Sequence, residues 1–156
     1  MITNQAGLDL IKYYESFVPT PYLCYSGARA NPKFYTIGYG ALLGTDNNPV
    51  DRSHRPVTET EGEKLLQRDL RRFEHYVAKL VSVPVTISQF SALVSICFNI
   101  GPRNFQNSVF RMKLNRKDYQ GCADNLWQYR RAAGKILPGL VKRRAAERIL
   151  FLSGID

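Results

Sequence analysis

The segment Ser88 to Asn99, SQFSALVSICFN, constrains the fold most. Phe90, Leu93, Val94, Ile96 and Cys97 spread around a helix rather than along one stripe. A helix that is apolar all round has to be buried, so the rest of the chain must enclose it. Gly101-Pro102 stops it. The spacing therefore predicts a central core helix with further helices packed around it. Upstream, Thr58-Glu59-Thr60-Glu61 has the form of a capping box. Leu65, Leu66, Leu70, Phe73, Val77 and Leu80 then keep a helical period to about Val81. Downstream, Ser108 to Leu114 and Tyr119 to Arg131 read as short helices, the second with Cys122, Leu126 and Tyr129 inward. Gly134 and Pro138-Gly139 break the run, and a last helix is expected from Leu140 to about Leu152, with Gly154 at its C′ position. At the other end, Asn4 can cap a first helix running to about Tyr14.

Between the first helix and the capping box the pattern changes. Pro19 and Pro21 prevent the helix from continuing. Tyr22, Leu23 and Tyr25 suit a first strand and Phe34 to Tyr39 a second, joined by a loop from Ser26 to Lys33. Asp46-Asn47-Asn48-Pro49 is a strong turn signal, and Gly44 to Pro56 has no hydrophobic period. The fold class that follows is α+β and mostly helical: a small β-hairpin lobe over about 16–57, a long helix, and a larger helical lobe over about 58–156 that includes the N-terminal helix. A chain of 156 residues fits a single domain with a core that needs no disulfides.

Composition narrows the chemistry. No apolar run approaches the roughly 18 residues of a membrane span, and the N-terminal MITNQAGLDLIKYYESF lacks the apolar core of a signal peptide. Cys24, Cys97 and Cys122 form no C-x-x-C pair, and His54 and His75 have no metal-ligand spacing, so neither a metal nor another cofactor is expected. The net charge of +9 points to an acidic partner or surface. The basic residues form no single stripe and no groove-reading motif, which argues against a nucleic-acid-binding domain, the alternative of another class.

The stretch Glu15 to Gly40 carries the chemistry. Glu15 falls at a helix C-terminus, where the negative end of the helix dipole disfavours a second negative charge, a setting suited to a general acid. Tyr35-Thr36-Ile37-Gly38-Tyr39-Gly40 alternates β-branched and aromatic residues with glycine, which marks a hairpin strand with close backbone packing. An acid beside such a hairpin can build one wall of a cleft. The order Glu15, Cys24, Thr36 with TIGYG, then Cys97-Phe98-Asn99-Ile100-Gly101, then PGLVKRRAAER over 138–148, resembles the phage lysozyme (endolysin) family, glycoside hydrolase family 24.

That resemblance implies a lysozyme-like fold and an endolysin that hydrolyses the β-1,4 bond between N-acetylmuramic acid and N-acetylglucosamine in bacterial peptidoglycan. A lytic transglycosylase acting on the same bond is the alternative. It implies Glu15, Cys24 and Thr36 as catalytic residues, with Leu42, Phe98, Asn99, Ser108 and Asn125 binding substrate. It also implies a monomer held in the host cytoplasm and released to the wall through a holin-type pore. Three departures stand out. Cys24 occupies the position usually held by Asp, leaving it open whether the thiol is a water-orienting anion, a nucleophile or packing, and whether Asp46 or Asp51 substitutes. The 27–34 segment is longer than usual. Ala41 follows GYG where His is common.

The last helix carries Lys142, Arg143, Arg144 and Arg148 beside Leu140, Ile149, Leu150 and Leu152. It is expected to present a basic face to an anionic wall or membrane surface and its leucines and isoleucine to the core.

Overall fold

The computed structural model describes residues 1–24 and 34–154. It is mostly helical with a small antiparallel hairpin, as the sequence predicts. The order is α1 (Gln5–Glu15), β1 (Val18–Leu23), β2 (Tyr35–Gly38), α2 (Glu59–Leu80), α3 (Ile87–Ile100), α4 (Pro102–Gln106), α5 (Val109–Asn115) and α6 (Tyr119–Asn125). A 3₁₀ turn (Leu126–Tyr129), β3 (Arg131–Ala132), β4 (Lys135–Ile136) and α7 (Pro138–Leu152) complete it. Two compact units emerge: Glu15–Asp69, and Met1–Tyr14 with Leu70–Asp156.

In the Glu15–Asp69 unit, β1 pairs antiparallel with β2, with Val18 opposite Gly38, Tyr22 opposite Thr36 and Leu23 opposite Tyr35. The strand starts earlier than its tyrosines suggest and contains both prolines. Proline has no N–H for the ladder, and the register is irregular between Val18 and Tyr22, which is where a strand tolerates it. The expected strand residue Tyr25 and most of the lengthened 27–34 segment lie outside the described residues.

Ile37, Ala41, Val50, Val57 and Leu65 form the core of this unit, with Phe17 and Tyr35 packed against it. The capping box of α2 is in place: Glu61 N–H donates to Thr58 Oγ1 (3.2 Å) and Thr58 N–H to Glu61 Oε2 (2.9 Å). A hydrogen bond from Arg55, then that from the Thr58 N–H, bring the Glu61 carboxyl down to about 2.

Gly38 has φ +66°, and a Cβ there would lie 3.2 Å from the Cα of Gly62 in α2. The two glycines let strand and helix backbones approach closely. Gly38→Ala is expected to lower stability by about 1–3 kcal/mol, from left-handed strain plus the crowded contact. A shift in the urea midpoint at constant slope checks it.

In the other unit, α3 meets the strongest expectation: every residue from Gln89 to Cys97 is buried. Its start carries a capping box that the sequence reading did not include. Gln89 N–H donates to Thr86 Oγ1 (3.2 Å), and Thr86 N–H donates to Gln89 Oε1 (2.9 Å). Asn4 caps α1 by accepting from Gly7 N–H (2.9 Å), and a Cβ on Gly7 would meet Ser91 Cβ at 2.6 Å, so α1 lies hard against α3. Gly101-Pro102 ends α3, but Pro102 also opens α4, since proline fits the first turn of a helix.

The C-terminal region departs from expectation in two ways. The helix begins at Pro138 rather than Leu140, with Pro at the N-terminal position and Gly139 inside the first turn. Its rotation is also different. Arg143, Arg144, Glu147 and Phe151 face inward, while Ile149 is 68% exposed. The expected basic face is therefore not there. Ser95 Oγ donates to Glu147 Oε1 (2.7 Å), Arg143 Nε lies 3.2 Å from Oε1, and Arg144 Nε lies 2.7 Å from Oε2. Arg148 pairs at the surface with Asp124 (2.7 Å). Buried arginines are tolerated because a carboxylate and polar groups on α3 meet them. Burial pushes the Glu147 carboxyl up, and Arg144 and Arg143 oppose that shift.

Candidate active site

Glu15 is the last residue of α1 and is half-buried. Ser16 follows in the left-handed region, φ +62°, which turns the chain out of the helix. Phe17 then packs beside Tyr39, ring centroids 5.4 Å apart, and β1 begins at Val18. The Tyr39 hydroxyl donates to Glu59 Oε1 (3.2 Å). The acid is thus delivered to the hairpin by a short, anchored turn.

Cys24 N–H donates to Phe34 O (3.1 Å), extending the β1–β2 pairing by one residue. With Tyr22 opposite Thr36, Cys24 and Thr36 lie diagonally on the same face of the ladder. Diagonal neighbours are typically about 7–8 Å apart, close enough to act on one small molecule between them. Cys24 is half-buried and forms no disulfide among the described residues. Thr36 is 3% exposed, and its Oγ1 has no hydrogen-bond partner among the described residues. Burying a hydroxyl without a partner costs about 1–3 kcal/mol.

Leu42 is 48% exposed just past the Ile37–Ala41 bridge, and its carbonyl accepts from Val50 N–H (2.9 Å). The two aspartates considered as replacements for a second carboxylate are spent on turns. Asp46 accepts from the Asn48 N–H and Nδ2 (both 3.0 Å), and Asp51 from the Ser53 N–H and hydroxyl (2.7 and 2.6 Å). These bonds hold both carboxyls below the usual range.

The remaining four candidates belong to the other unit. Phe98 is half-buried with its ring edge-on to Phe73 (5.1 Å). Asn99 is exposed, and its Oδ1 accepts from Arg144 Nη2 (2.9 Å). The cluster around Glu147 thus fixes this amide, leaving its Nδ2 as a donor without a partner among the described residues. Sequence reasoning missed this support. The signal was Arg143 and Arg144 placed four and three residues before Glu147 on one helix. Ser108 is 1% exposed and caps α5, its hydroxyl donating to Phe105 O (2.7 Å) and accepting from Arg111 N–H (3.2 Å). Asn125 donates to Gly121 O and accepts from Gln128 Nε2, both at 2.7 Å. Asn99 is therefore the polar candidate of this unit with an amide end still to offer.

A family model described as phage lysozyme matches residues 12–147. The chain is 40% identical over 154 residues to the endolysin of Bacillus phage B103, covering 99% of this chain and 55% of that protein. It thus spans little more than half the length of that curated relative. Among solved structures, an endolysin from Escherichia coli O157:H7 phage FAHEc1 aligns with a TM-score of 0.83 at 31% identity, over 99% of this chain and 96% of that one. The muramidase domain of SpmX from Asticaccaulis excentricus aligns with a TM-score of 0.81, also at 31% identity, over 96% and 97%.

Proposed function

We propose, from the premise that this chain belongs to the phage lysozyme family, that it hydrolyses the β-1,4 bond between N-acetylmuramic acid and N-acetylglucosamine in bacterial peptidoglycan and so lyses the host. The observation that carries this reading is the hairpin: Cys24 and Thr36 share one face of it, and Glu15 leads directly into its first strand. Breaking a glycosidic bond requires a proton for the leaving oxygen and a second group to direct water or attack the anomeric carbon. Glu15 supplies the proton. The Thr36 hydroxyl holds the attacking water, and Cys24 flanks it. Leu42, Phe98 and Asn99 offer apolar contact and an amide donor to an N-acetylated sugar. The enzyme acts at the wall as a monomer, reached from the host cytoplasm through a holin-type pore.

A second reading follows from Cys24 itself. A thiol in place of the usual carboxylate favours a lytic transglycosylase, in which Glu15 serves as acid and then base and no second anion is needed. Mass spectrometry of digested peptidoglycan separates the two, because hydrolysis adds a water to each cut and transglycosylation leaves an anhydro end. Anhydro products throughout would replace the hydrolase by the transglycosylase.

Cys24 can be tested without interference from the other thiols. Burial pushes Cys97 and Cys122 up to about 12, so neither forms thiolate near neutral pH. A thiol-specific reagent is expected to modify Cys24 and inactivate the enzyme. Cys24→Ser should lose about 10²-fold in rate and Cys97→Ser little. Cys24→Asp should keep activity, as expected of a water-orienting group. Loss in both Cys24 variants would instead make the thiolate a nucleophile, and full activity in both would leave it as packing.

A further inference from the structure

The basic surface expected on α7 exists on other helices of the same unit. No acidic residue occurs between Glu74 and Asp118, whereas Lys79, Arg103, Arg111, Lys113, Arg116 and Lys117 all fall there. Two of these cations are occupied. Lys113 pairs with Asp118 (3.2 Å), and Arg111 donates to Gln106 O (2.8 Å) and Leu80 O (3.4 Å). Glu74 is engaged by Thr3 and Arg71. Lys79, Arg116 and Lys117 are exposed and make no ion pair among the described residues.

The fold gathers these three cations at one joint. Asn115 Nδ2 donates to Leu80 O (2.9 Å), and Asn115 Oδ1 accepts from Ser82 N–H (3.0 Å), so the end of α5 is fixed against the end of α2. Lys79 precedes Leu80, and Arg116 and Lys117 follow Asn115. Lys117 has φ +65°, at the left-handed position after a helix where glycine is usual. A lysine there is strained, and it adds a cation at the negative end of the α5 dipole. Apolar side chains are set among the charges. Val109, Met112 and Arg116 recur at i, i+3 and i+7, which puts them on one face of α5. Val109 (40% exposed) and Met112 (42%) are left in solvent, as is Tyr76 (41%), one turn before Lys79 on α2.

We infer that this α2–α5 surface docks the anionic face of a phospholipid bilayer. Unpaired lysine and arginine side chains at one joint call for an anionic partner. A soluble phosphate polymer would satisfy the charges and leave Val109 and Met112 in water. A bilayer has an apolar layer beneath its phosphate headgroups and receives both. Tyr76, with an apolar ring and a polar tip, suits the level between them. Among the described residues no helix is long and apolar enough to cross a membrane, so the contact is peripheral and reaches only the headgroup boundary. The inference goes beyond the cleavage reaction and does not depend on it: it concerns where the enzyme is held.

The test uses the full chain and two variants. Lys79→Gln/Arg116→Gln/Lys117→Asn removes the charges, with an asparagine that suits the left-handed backbone. Val109→Thr/Met112→Gln removes the apolar contacts and keeps the charges. Binding is measured by sedimentation with vesicles of equimolar phosphatidylglycerol and phosphatidylcholine, with vesicles of phosphatidylcholine alone, and with soluble polyphosphate as competitor. Wild type should bind the mixed vesicles and not the neutral ones. At low salt the charge variant should bind about 10²-fold more weakly, from about five-fold per cation. Its difference from wild type should close near 1 M salt, where screening reaches within about 3 Å. The apolar variant should lose about ten-fold. Both variants should melt as wild type does and cleave soluble wall fragments at the wild-type rate.

Equal binding by the charge variant, or by the apolar variant, would overturn the inference. So would polyphosphate held as tightly as the mixed vesicles, which would make the surface a site for anionic polymers such as nucleic acid. Loss of wall cleavage in a folded charge variant would assign the surface to the wall instead. If wild type cleaves no wall yet binds the mixed vesicles as described, the docking surface stands and the catalytic reading falls.

Discussion

Glu15→Gln should abolish wall lysis, with a fall of at least about 10²- to 10⁴-fold, while the protein melts as the wild type does. Glutamine keeps the shape of the side chain and removes the transferable proton, and positioned proton transfer accounts for a factor of that size. Because Glu15 ends α1 and enters an anchored turn, an isosteric change there disturbs little packing. The measurement is the clearing of a suspension of purified walls, beside a thermal melt of the same sample. Lysis near the wild-type rate by a folded variant would remove Glu15 from the acid role. The hydrolase and the transglycosylase both need this proton, so the variant tests the acid and leaves the choice between them to product masses.

Glu147→Gln should cost about 3–5 kcal/mol of stability, a large share of the roughly 5–15 kcal/mol that holds a domain folded. It leaves Arg143 (3% exposed) and Arg144 (2% exposed) as neighbouring buried cations without their carboxylate. Arg148→Gln is the internal comparison. It breaks a pair with Asp124 in which both side chains are more than 40% exposed, and should cost no more than about 1 kcal/mol. Urea unfolding of both variants checks the contrast. A small, equal loss would mean that the buried cluster carries no more than the surface pair.

What the sequence made legible was local. The caps at Asn4 and Thr58, the helical period of α2 and the unbroken apolar run of α3 each declare themselves within a few residues. The hairpin pairing of Thr36 was legible because the glycine-aromatic alternation permits little else. What stayed hidden depended on partners far along the chain or on exceptions to local rules. Prolines 19 and 21 read as breakers yet lie in β1, where the pairing is irregular. Pro138 also reads as a breaker, but it opens α7. Ala133 gives no turn signal, so β3 and β4 were missed. Arg143 and Arg144 read as surface charge because Ser95 and Asn99, which help to hold the cluster, lie about fifty positions away. Within the candidate site, the tasks already taken by Ser108 and Asn125 emerged only from their hydrogen bonds.

The buried cluster of Arg143, Arg144 and Glu147 also shapes how this chain can change over generations. Replacing Glu147 alone takes away the carboxylate that both buried arginines meet, whereas replacing either arginine leaves the other opposite Glu147. Replacing all three with apolar residues of similar volume is often neutral or stabilising in comparable clusters. The three positions are therefore epistatic: the cost of losing either arginine depends on whether Glu147 is still there. A lineage that loses the carboxylate first is blocked, and a single-site mutagenesis library will score Glu147 as the least replaceable of the three. A library that varies them together is the one able to recover the apolar alternative.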